Sequence, residues 1–310
     1  MRSLIRTTLF LPLALGLVAG CGKSGDPLAP DPGAADDQTQ VQQTLDAHPE
    51  MAQDGVYGNE GSTSVGSDAP AGSLAAIQPL TYWRTITSVD RRVVIDFSDP
   101  DPNGRPTTAL VTIHRQLHGS FNILTGDVPE DSARSVVRKR LNDHWVRKVL
   151  LKRVLPTPSD SAADDRGGRR WRIAALSGVE VTSKDATTQI VGLRIQGGGL
   201  DTTIADPLAL FRLRGVLKFE ARTELTLTVT TTRNDDIVIL HHRDRRFRFH
   251  NNGDNTYTGV WSVGAIAGLQ HVGVNALAHG TLYDDADPYD SKSWILPYVV
   301  RPTELAEFVE

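Results

Sequence analysis

Alternating apolar and polar positions in the last third of the chain predict a series of short β-strands. Between Thr223 and Thr232, leucine or valine alternates with threonine over much of the run, which is the period of a strand with one buried face. Further apolar runs follow at intervals of about 10 residues, with turn signals between them. They cover residues 236–242, 245–249, 257–263, 268–278 and 294–300. We therefore predict a β-sandwich over residues 206–302, followed by a short tail, 303–310.

Shorter apolar runs predict a separate β-rich domain over residues 77–205, whose type the pattern does not define. The runs lie at residues 91–97, 109–114, 119–124 and 171–176, and Pro, Gly and Asp clusters separate them. Residues 129–155 allow two interpretations, because apolar residues recur there at helical spacing: Val137, Leu141, Trp145 and Val149. Residues 149–154 could equally form a strand that pairs with 171–176. We favour a strand for the second half, which leaves a mainly β or α+β domain.

Residues 22–76 have no comparable apolar pattern and are predicted to form a disordered acidic linker. Lys23 is the only basic residue against nine acidic ones, and Tyr57 is the only aromatic. Such a segment buries too little apolar surface to offset the entropy lost on ordering. Residues 38–51 could form a short helix, although its apolar face is thin.

The first 21 residues have the order of a secretion signal. Arg2 and Arg6 precede an apolar run that ends at Ala19, and at about 11 residues this run is too short to span a bilayer. The apolar run is followed directly by Gly20 and Cys21, and the four residues Val18-Ala19-Gly20-Cys21 resemble the bacterial lipobox. The resemblance implies cleavage before Cys21, a diacylglyceryl thioether on its sulfur and usually a third acyl chain, such as palmitate, on the new amino group. Two or three chains hold a protein stably on a membrane.

The same resemblance carries an expectation about location. Gly22 follows Cys21, in the position where an aspartate resembles an inner-membrane retention signal. We therefore expect a lipid-anchored protein of the cell envelope, in the outer membrane, with the inner membrane as the alternative. The motif does not indicate which face of the membrane carries the protein.

A second resemblance covers about 95 residues of the C-terminal region. The run Asn251–Gly259 contains the turn Gly-Asp-Asn-Thr-Tyr-Thr-Gly, and Trp261 and Gly268–Ala276 follow it. This order resembles the second half of bacterial immunoglobulin-like domains. The resemblance implies an immunoglobulin-like β-sandwich, here without the disulfide common in antibody-type domains. It says little about function, because such sandwiches host many roles, and we expect an adhesive or scaffolding module.

Two oxygen-rich loops are candidates for calcium. Asp99, Asp101 and Asn103 have the first spacings of a calcium loop. Its twelfth position, which needs a bidentate glutamate, is Leu110, so a turn between strands is the favoured interpretation. The second loop could hold calcium or be solvated, and it contains four aspartates: Asp284, Asp285, Asp287 and Asp290.

The histidines and the cysteine do not have the spacing of metal ligands. His241 and His242 are adjacent in a predicted strand and so face opposite sides, and His271 and His279 lie too far apart on one strand to chelate together. Acylated Cys21 is the only cysteine, which excludes a cysteine nucleophile and a thiolate metal site. We therefore predict no metal and no cofactor.

Basic residues cluster in three places: Arg134–Arg153, Arg166–Arg172 and Arg245–Arg248. Trp145 and Trp171 lie among them, and a groove for an anionic glycan, a peptidoglycan acid or a lipid headgroup is one interpretation. A solvated strand face, or attraction to the acidic linker, is the other. Residues 77–310 carry 28 acidic and 30 basic residues, and this balance argues against a nucleic-acid partner.

No serine has a glycine two residues away on both sides, so the nucleophile turn of α/β-hydrolases is absent. The sequence therefore favours a protein that is not an enzyme, with a binding or structural role in the envelope. Its expected partners are the membrane, through Cys21, and a cell-wall glycan or another envelope protein. The alternative is a small-ligand carrier or an enzyme with its site in a cavity of the 77–205 domain.

Overall fold

The computed structural model describes residues 32–53, 56–59, 61–65, 77–102, 104–126, 135–154, 171–242 and 245–301. The predicted signal, Cys21 and the tail 303–310 lie outside these ranges. The described residues form a mainly β protein, which confirms the predicted fold class. Three α-helices are present in them, α1 (Pro32–Asp46), α2 (Pro49–Ala52) and α3 (His279–Tyr283), together with a 3-10 helix at Leu213–Gly215. None of the described helices has the length and hydrophobicity needed to cross a bilayer.

The strands in the described ranges form two sheets. In chain order they are β1 (Thr63–Ser64), β2 (Pro79–Pro100), β3 (Pro106–Thr125), β4 (Val136–Arg153), β5 (Trp171–Ser183), β6 (Ile190–Gly197), β7 (Leu200–Ile204), β8 (Phe211–Arg212), β9 (Leu217–Glu220), β10 (Glu224–Thr231), β11 (Ile237–His242), β12 (Arg245–Arg248), β13 (His250–Asn251), β14 (Thr256–Ser262), β15 (Gly268–Leu277) and β16 (Ser291–Arg301). The large sheet has the order β1-β2-β3-β4-β5-β16-β15-β11-β12, with β8 beside β5 and β9 beside β16. The small sheet has the order β13-β14-β10-β6-β7. Neighbouring strands are antiparallel except for β9 and β16.

The large sheet curls into a nearly closed cylinder. Its two edges meet where Arg248 on β12 donates a hydrogen bond to the carbonyl oxygen of Val65, beside β1, at 3.4 Å. Large buried side chains from most of its strands fill the inside, among them Tyr82, Phe121 and Trp145. We call the face that lines the inside the inner face, and the opposite one the outer face.

The small sheet packs on the outer face of β16, β15 and β11. Leu227 and Trp261 of the small sheet share one apolar core with Trp294 and Tyr298 of β16. Strands β16, β15 and β11 are therefore covered on both faces, and every residue of Ile237–His242 is buried. In β10, by contrast, buried positions alternate with more exposed ones. The apolar residues at Thr223–Thr232 alternate because β10 is buried on one face. Those at 236–242 are continuous because β11 is buried on both faces.

The predicted boundary between residues 205 and 206 needs correction. Strands from both sides of this boundary pair with each other, β6 with β10 and β5 with β16. The two domains predicted at 77–205 and 206–302 are therefore not separate, because each of the two sheets contains strands from both ranges. The predicted Gly-Asp-Asn-Thr-Tyr-Thr-Gly turn is found locally, where Asn252 N donates to Thr256 O at 3.0 Å.

Within residues 129–155, the described part is a strand throughout. β4 runs from Val136 to Arg153 and pairs with β5 as expected, with Val149 opposite Leu176. The apolar residues at helical spacing all lie on the inner face of β4. Residues four apart share a face of a helix, but they also share a face of a strand, because four is a multiple of the strand period of two.

The predicted disordered linker over 22–76 is wrong for the residues of this segment that the structure describes. Helix α1 covers one end of the inner face, with Val41 and Leu45 buried against the sheet. Asp37 on this helix is 1% exposed and pairs with Arg153. The acidic segment is therefore attracted to a basic strand, which is one of the interpretations that the sequence left open.

Candidate functional site

The predicted basic cluster Arg134–Arg153 does not form one surface. Because side chains alternate along β4, its bases divide between the two faces. Lys139, Arg147 and Arg153 point to the inner face. The bases on the outer face are Arg138, Arg140, Lys148 and Lys152. Arg134 and residues 166–170 of the second cluster lie outside the described residues.

Each inward base of β4 is engaged by other parts of the protein. Lys139 Nζ donates to the carbonyl oxygen of Gly280 at 2.9 Å and to that of Asp284. Burial lowers the pKa of Lys139, and the carboxylates of the loop 284–287 partly oppose this shift. Arg147 donates to the carbonyl oxygen of Gln53 at 2.7 Å. These bases therefore attach the loop after α3 and the N-terminal segment to the sheet.

Arg84 on β2 lies at the centre of a buried polar cluster inside the curled sheet. Its guanidinium donates to the Tyr289 hydroxyl at 3.1 Å and to Asn275 Oδ1 at 2.7 Å. The ring centres of Tyr57 and Phe121 lie 5.0 and 5.8 Å from its central carbon. Arg84 is only 1% exposed, so its charge is compensated by these groups rather than by solvent.

Asp143 on β4 completes the interior polar cluster, which we define as Tyr57, Arg84, Asp143, Asn275 and Tyr289. Its Oδ2 accepts hydrogen bonds from the hydroxyls of Tyr57 and of Tyr289, the latter at 3.2 Å. Burial, the largest cause, raises the pKa of both tyrosines, so both hydroxyls stay protonated at neutral pH. A general acid or base works best with a pKa near the operating pH. The cluster is thus suited to supporting the fold rather than to proton transfer.

Asn275 joins the interior polar cluster to strand β16. Its Nδ2 donates to Ser291 Oγ and to Ser293 Oγ, each at 2.7 Å. No role was predicted for Arg84, Asp143 or Asn275. For the first two a signal was present, because Arg84 lies between the inward Tyr82 and Ile86, and Asp143 between the inward Leu141 and Trp145.

Residues 52–53 and 56–59 contact the inward side chains and strand β2 of the curled sheet as a strap. Arg115 Nη2 donates to the carbonyl oxygen of Ala52 at 3.3 Å, and the backbone nitrogen of Ile86 donates to Asn59 Oδ1 at 2.6 Å. Tyr57 inserts between these two points into the interior polar cluster. The single aromatic residue of the predicted linker is therefore part of the core of the fold.

The outer face of β3 and β4 carries the accessible chemistry of the sheet. Each outward base of β4 has an uncharged residue with a hydroxyl or amide opposite it on β3: Asn122 opposite Arg138, Ser120 opposite Arg140, Thr112 opposite Lys148 and Thr108 opposite Lys152. We call this surface, the outward side chains of β3 and β4, the β3–β4 face. It is basic and contains several hydrogen-bonding groups.

An open groove crosses the β3–β4 face near its middle. It is lined by Gln116, His118, Asn142, His144, Thr182, Ser183 and Lys184. His144 stacks on His114 with the rings 5.3 Å apart and nearly parallel, and His114 Nδ1 lies 3.1 Å from His144 Nε2. Burial and then the neighbouring His114 lower the pKa of His144. A neutral imidazole can donate at one nitrogen and accept at the other, so the pair adds hydrogen-bonding groups to the groove.

The two aspartate-rich loops are engaged by protein groups. Asp101 Oδ1 accepts from the backbone nitrogen of Arg105 at 2.9 Å in the β2–β3 turn. Asp290 is largely buried and accepts from the backbone nitrogen of Thr187 at 3.0 Å. Asn103 lies outside the described residues. Within the described ranges, no three His, Cys, Asp or Glu side chains come together as metal ligands.

The described histidines of β11, β15 and α3 have separate environments. His242 faces the core between the sheets and lies 2.9 Å from the Tyr298 hydroxyl, whereas His241 faces the inside of the curled sheet. His271 Nε2 lies 3.1 Å from Arg147 Nη2, and burial followed by the Arg147 charge lowers its pKa to about 3. It therefore stays neutral and accepts a hydrogen bond from the guanidinium. His279 stacks on Tyr283 with the rings 4.6 Å apart.

Comparisons of this chain with protein family models, with curated proteins and with solved structures found no match.

Proposed function

We propose that the protein is a lipid-anchored component of the cell envelope with a non-enzymatic binding role. The observation that carries the binding role is the division of the charged residues of β4. The inward ones bond to groups of the protein itself, and the outward ones share the exposed β3–β4 face. The charged side chains of β4 that a partner can contact are therefore those of the β3–β4 face.

The lipobox-like run Val18–Cys21 supports the envelope location, with acylation of Cys21 as the anchor. Gly22 after the cysteine supports the outer membrane as the destination. Helix α1 begins at Pro32, and a chain covers at most about 3.6 Å per residue. The anchor would thus hold the start of the folded part within roughly 35–40 Å of the lipid surface. A linker extending to residue 76 would have a longer maximum reach.

Cys21→Ser tests the anchor. We expect the native chain in the membrane fraction with an incorporated labelled fatty acid, and the variant in the soluble fraction without the label. Gly22→Asp is the matched variant for sorting and should keep the label while moving the protein to the inner membrane. A Cys21→Ser protein that remains with the membranes would rule out the anchor.

A small-ligand carrier or an enzyme is the second candidate. The interior polar cluster favours it, because strongly shifted pKa values of buried groups are common at functional sites. Against it, the raised pKa values of Tyr57 and Tyr289 keep both hydroxyls protonated. Native mass spectrometry of the purified protein separates the two candidates, since a carrier would retain a small molecule and a surface binder would have the mass of the chain with its lipid.

A further inference from the structure

We propose that the β3–β4 face binds an anionic polysaccharide whose chain runs along β4. This inference rests on the proposed binding role and gives that role a ligand class. The bases Arg138 and Lys152 mark the two ends of the site. At about 3.3 Å per residue, the strand between them is about 46 Å long, which is enough for a polymer of several sugar units.

The charge of the β3–β4 face is the first argument. Arg138, Arg140 and Lys152 are exposed and Lys148 is half-buried, and none of them forms an ion pair with another described residue. Strand β3 contains no Asp or Glu, and the single acid of β4, Asp143, points inward. A surface with one sign of charge attracts a polymer of the opposite sign.

The acids on the strands that flank this face do not cancel its charge. Glu180 on β5 is paired with Lys292 at 2.9 Å. Asp90 on β2 lies 3.6 Å from His118 Nε2. Asp96 and Asp99, also on β2, are exposed at the edge of the face, and Asp99 Oδ2 accepts a hydrogen bond from Thr108 at 2.9 Å. The four outward bases of β4, which lie toward its two ends, remain the largest group of like charges on the β3–β4 face.

The neutral groups of the face point to a polymer that carries hydroxyls. Opposite the bases, β3 presents hydroxyl groups, and the groove adds the amides of Gln116 and Asn142 and the imidazole of His144. Amides, hydroxyls and neutral imidazoles both donate and accept hydrogen bonds, as sugar hydroxyls do. Carboxylate or phosphate groups on the polymer would pair with the arginines and lysines.

Two other polyanions fit the face less well. A lipid bilayer is bound by surfaces that combine bases with protruding apolar side chains. Among the large apolar side chains that point outward from the described parts of β3 and β4, only Val136, at the end of β4, is exposed. Single-stranded nucleic acid needs aromatic rings on which bases stack, whereas the outward positions of β3 and β4 hold none except the histidines. The face therefore favours a glycan.

The test measures binding of the intact chain, purified in detergent, to polygalacturonate. Neutral dextran, vesicles of phosphatidylcholine with phosphatidylglycerol, and single-stranded DNA are the comparison probes. We expect binding to polygalacturonate that weakens as salt rises, with little binding to dextran. The double variant Lys148→Glu/Lys152→Glu should bind about tenfold more weakly.

Arg212→Glu/Lys218→Glu is the matched control, because it makes the same change of charge at exposed positions outside β2–β4. It should bind like the native chain. Equal loss in both double variants would overturn the proposed site, as would preferential binding to vesicles or DNA. If the native protein is membrane-anchored and binds cell-wall material, but the Lys148/Lys152 variant binds as well as the native chain, the proposed function stands and this inference fails.

Discussion

Asp236, at the start of the buried strand β11, carries a carboxyl group whose ionisation opposes folding. Its Oδ1 accepts a hydrogen bond from Thr188 at 2.9 Å and lies 3.8 Å from Arg233 Nε. Burial nevertheless raises its pKa to about 6. The carboxyl group of an unfolded chain has a pKa of about 3.9, so the folded protein binds a proton at this position more readily.

We predict that Asp236→Asn stabilises the protein at pH 7.5, and does so less at pH 4.5. A raised pKa contributes stability that is present below the unfolded value and is lost as the pH rises through the folded value. Above pH 6 the ionised carboxylate therefore costs free energy that a neutral amide does not. The shift of about 2 units corresponds to at most about 3 kcal/mol, and we expect a gain of about 1–2 kcal/mol.

Urea unfolding at the two pH values measures the effect of Asp236→Asn. Asp201→Asn serves as the control, because Asp201 is an exposed carboxylate paired with Arg194 and its loss should hardly move the midpoint. A lower midpoint for Asp236→Asn at pH 7.5 would show that the ionised form is the stabilising one.

At the scale of the element, α1 is a helix that its own composition hardly supports. Its acidic and small residues predict a linker, yet Val41 and Leu45 are buried and Thr44 Oγ1 lies 3.4 Å from the carbonyl oxygen of Trp171. Isolated helices of about 15 residues are marginal in water. The contacts with the sheet, and above all the pair of Asp37 with Arg153, therefore keep this helix in place.

We predict that Asp37→Asn loosens α1, whereas Asp36→Asn does not. Asp37 is 1% exposed, and its replacement leaves the buried charge of Arg153 uncompensated, at a cost of about 3 kcal/mol. Asp36 is exposed and accepts a hydrogen bond from Gln40 of the same helix at 2.8 Å. Hydrogen exchange of the amides of residues 36–46 should rise in the first variant. If both variants exchange alike, the ion pair does not hold the helix.

At the scale of the whole molecule, the interior polar cluster joins strands that are distant in the chain. Arg84 and Asn275 are 191 positions apart, and Asp143 adds β4 to the same network through the two tyrosines. Buried polar groups are costly unless they are satisfied. The cluster therefore allows one arrangement of the curled sheet and penalises others.

We predict that Arg84→Met strongly destabilises the protein. The substitution removes the partner of Asn275 and Tyr289 and leaves Asp143 without the nearby positive charge, at a cost of about 3–5 kcal/mol. Urea unfolding at neutral pH measures the change. Arg91→Met, at an exposed position of the same strand, should change stability by less than about 0.5 kcal/mol. Similar midpoints for the two variants would mean that the interior polar cluster contributes little.

Much of the fold was predictable from local patterns, but much of the candidate site was not. Alternation located the strand at 223–232, because side-chain direction in a strand depends only on position. The two strands predicted at 109–114 and 119–124 are parts of one strand, β3. The same rule applied to β4 would have separated Arg138 and Lys148 from Lys139 and Arg147. These bases were predicted as one cluster because the strand itself was ambiguous at 129–155.

The sequence by itself determined that the chain is mainly β, where most strands lie and which residues share a face. These properties follow from neighbouring residues, and a period of two is visible without knowledge of any partner. The tertiary structure alone decided that strands on both sides of residue 205 share two sheets, that α1 and Tyr57 pack on the core, and that Arg84 meets Asn275. Such contacts depend on which distant segments bury each other's surface, and no local pattern of apolar and polar residues encodes that choice.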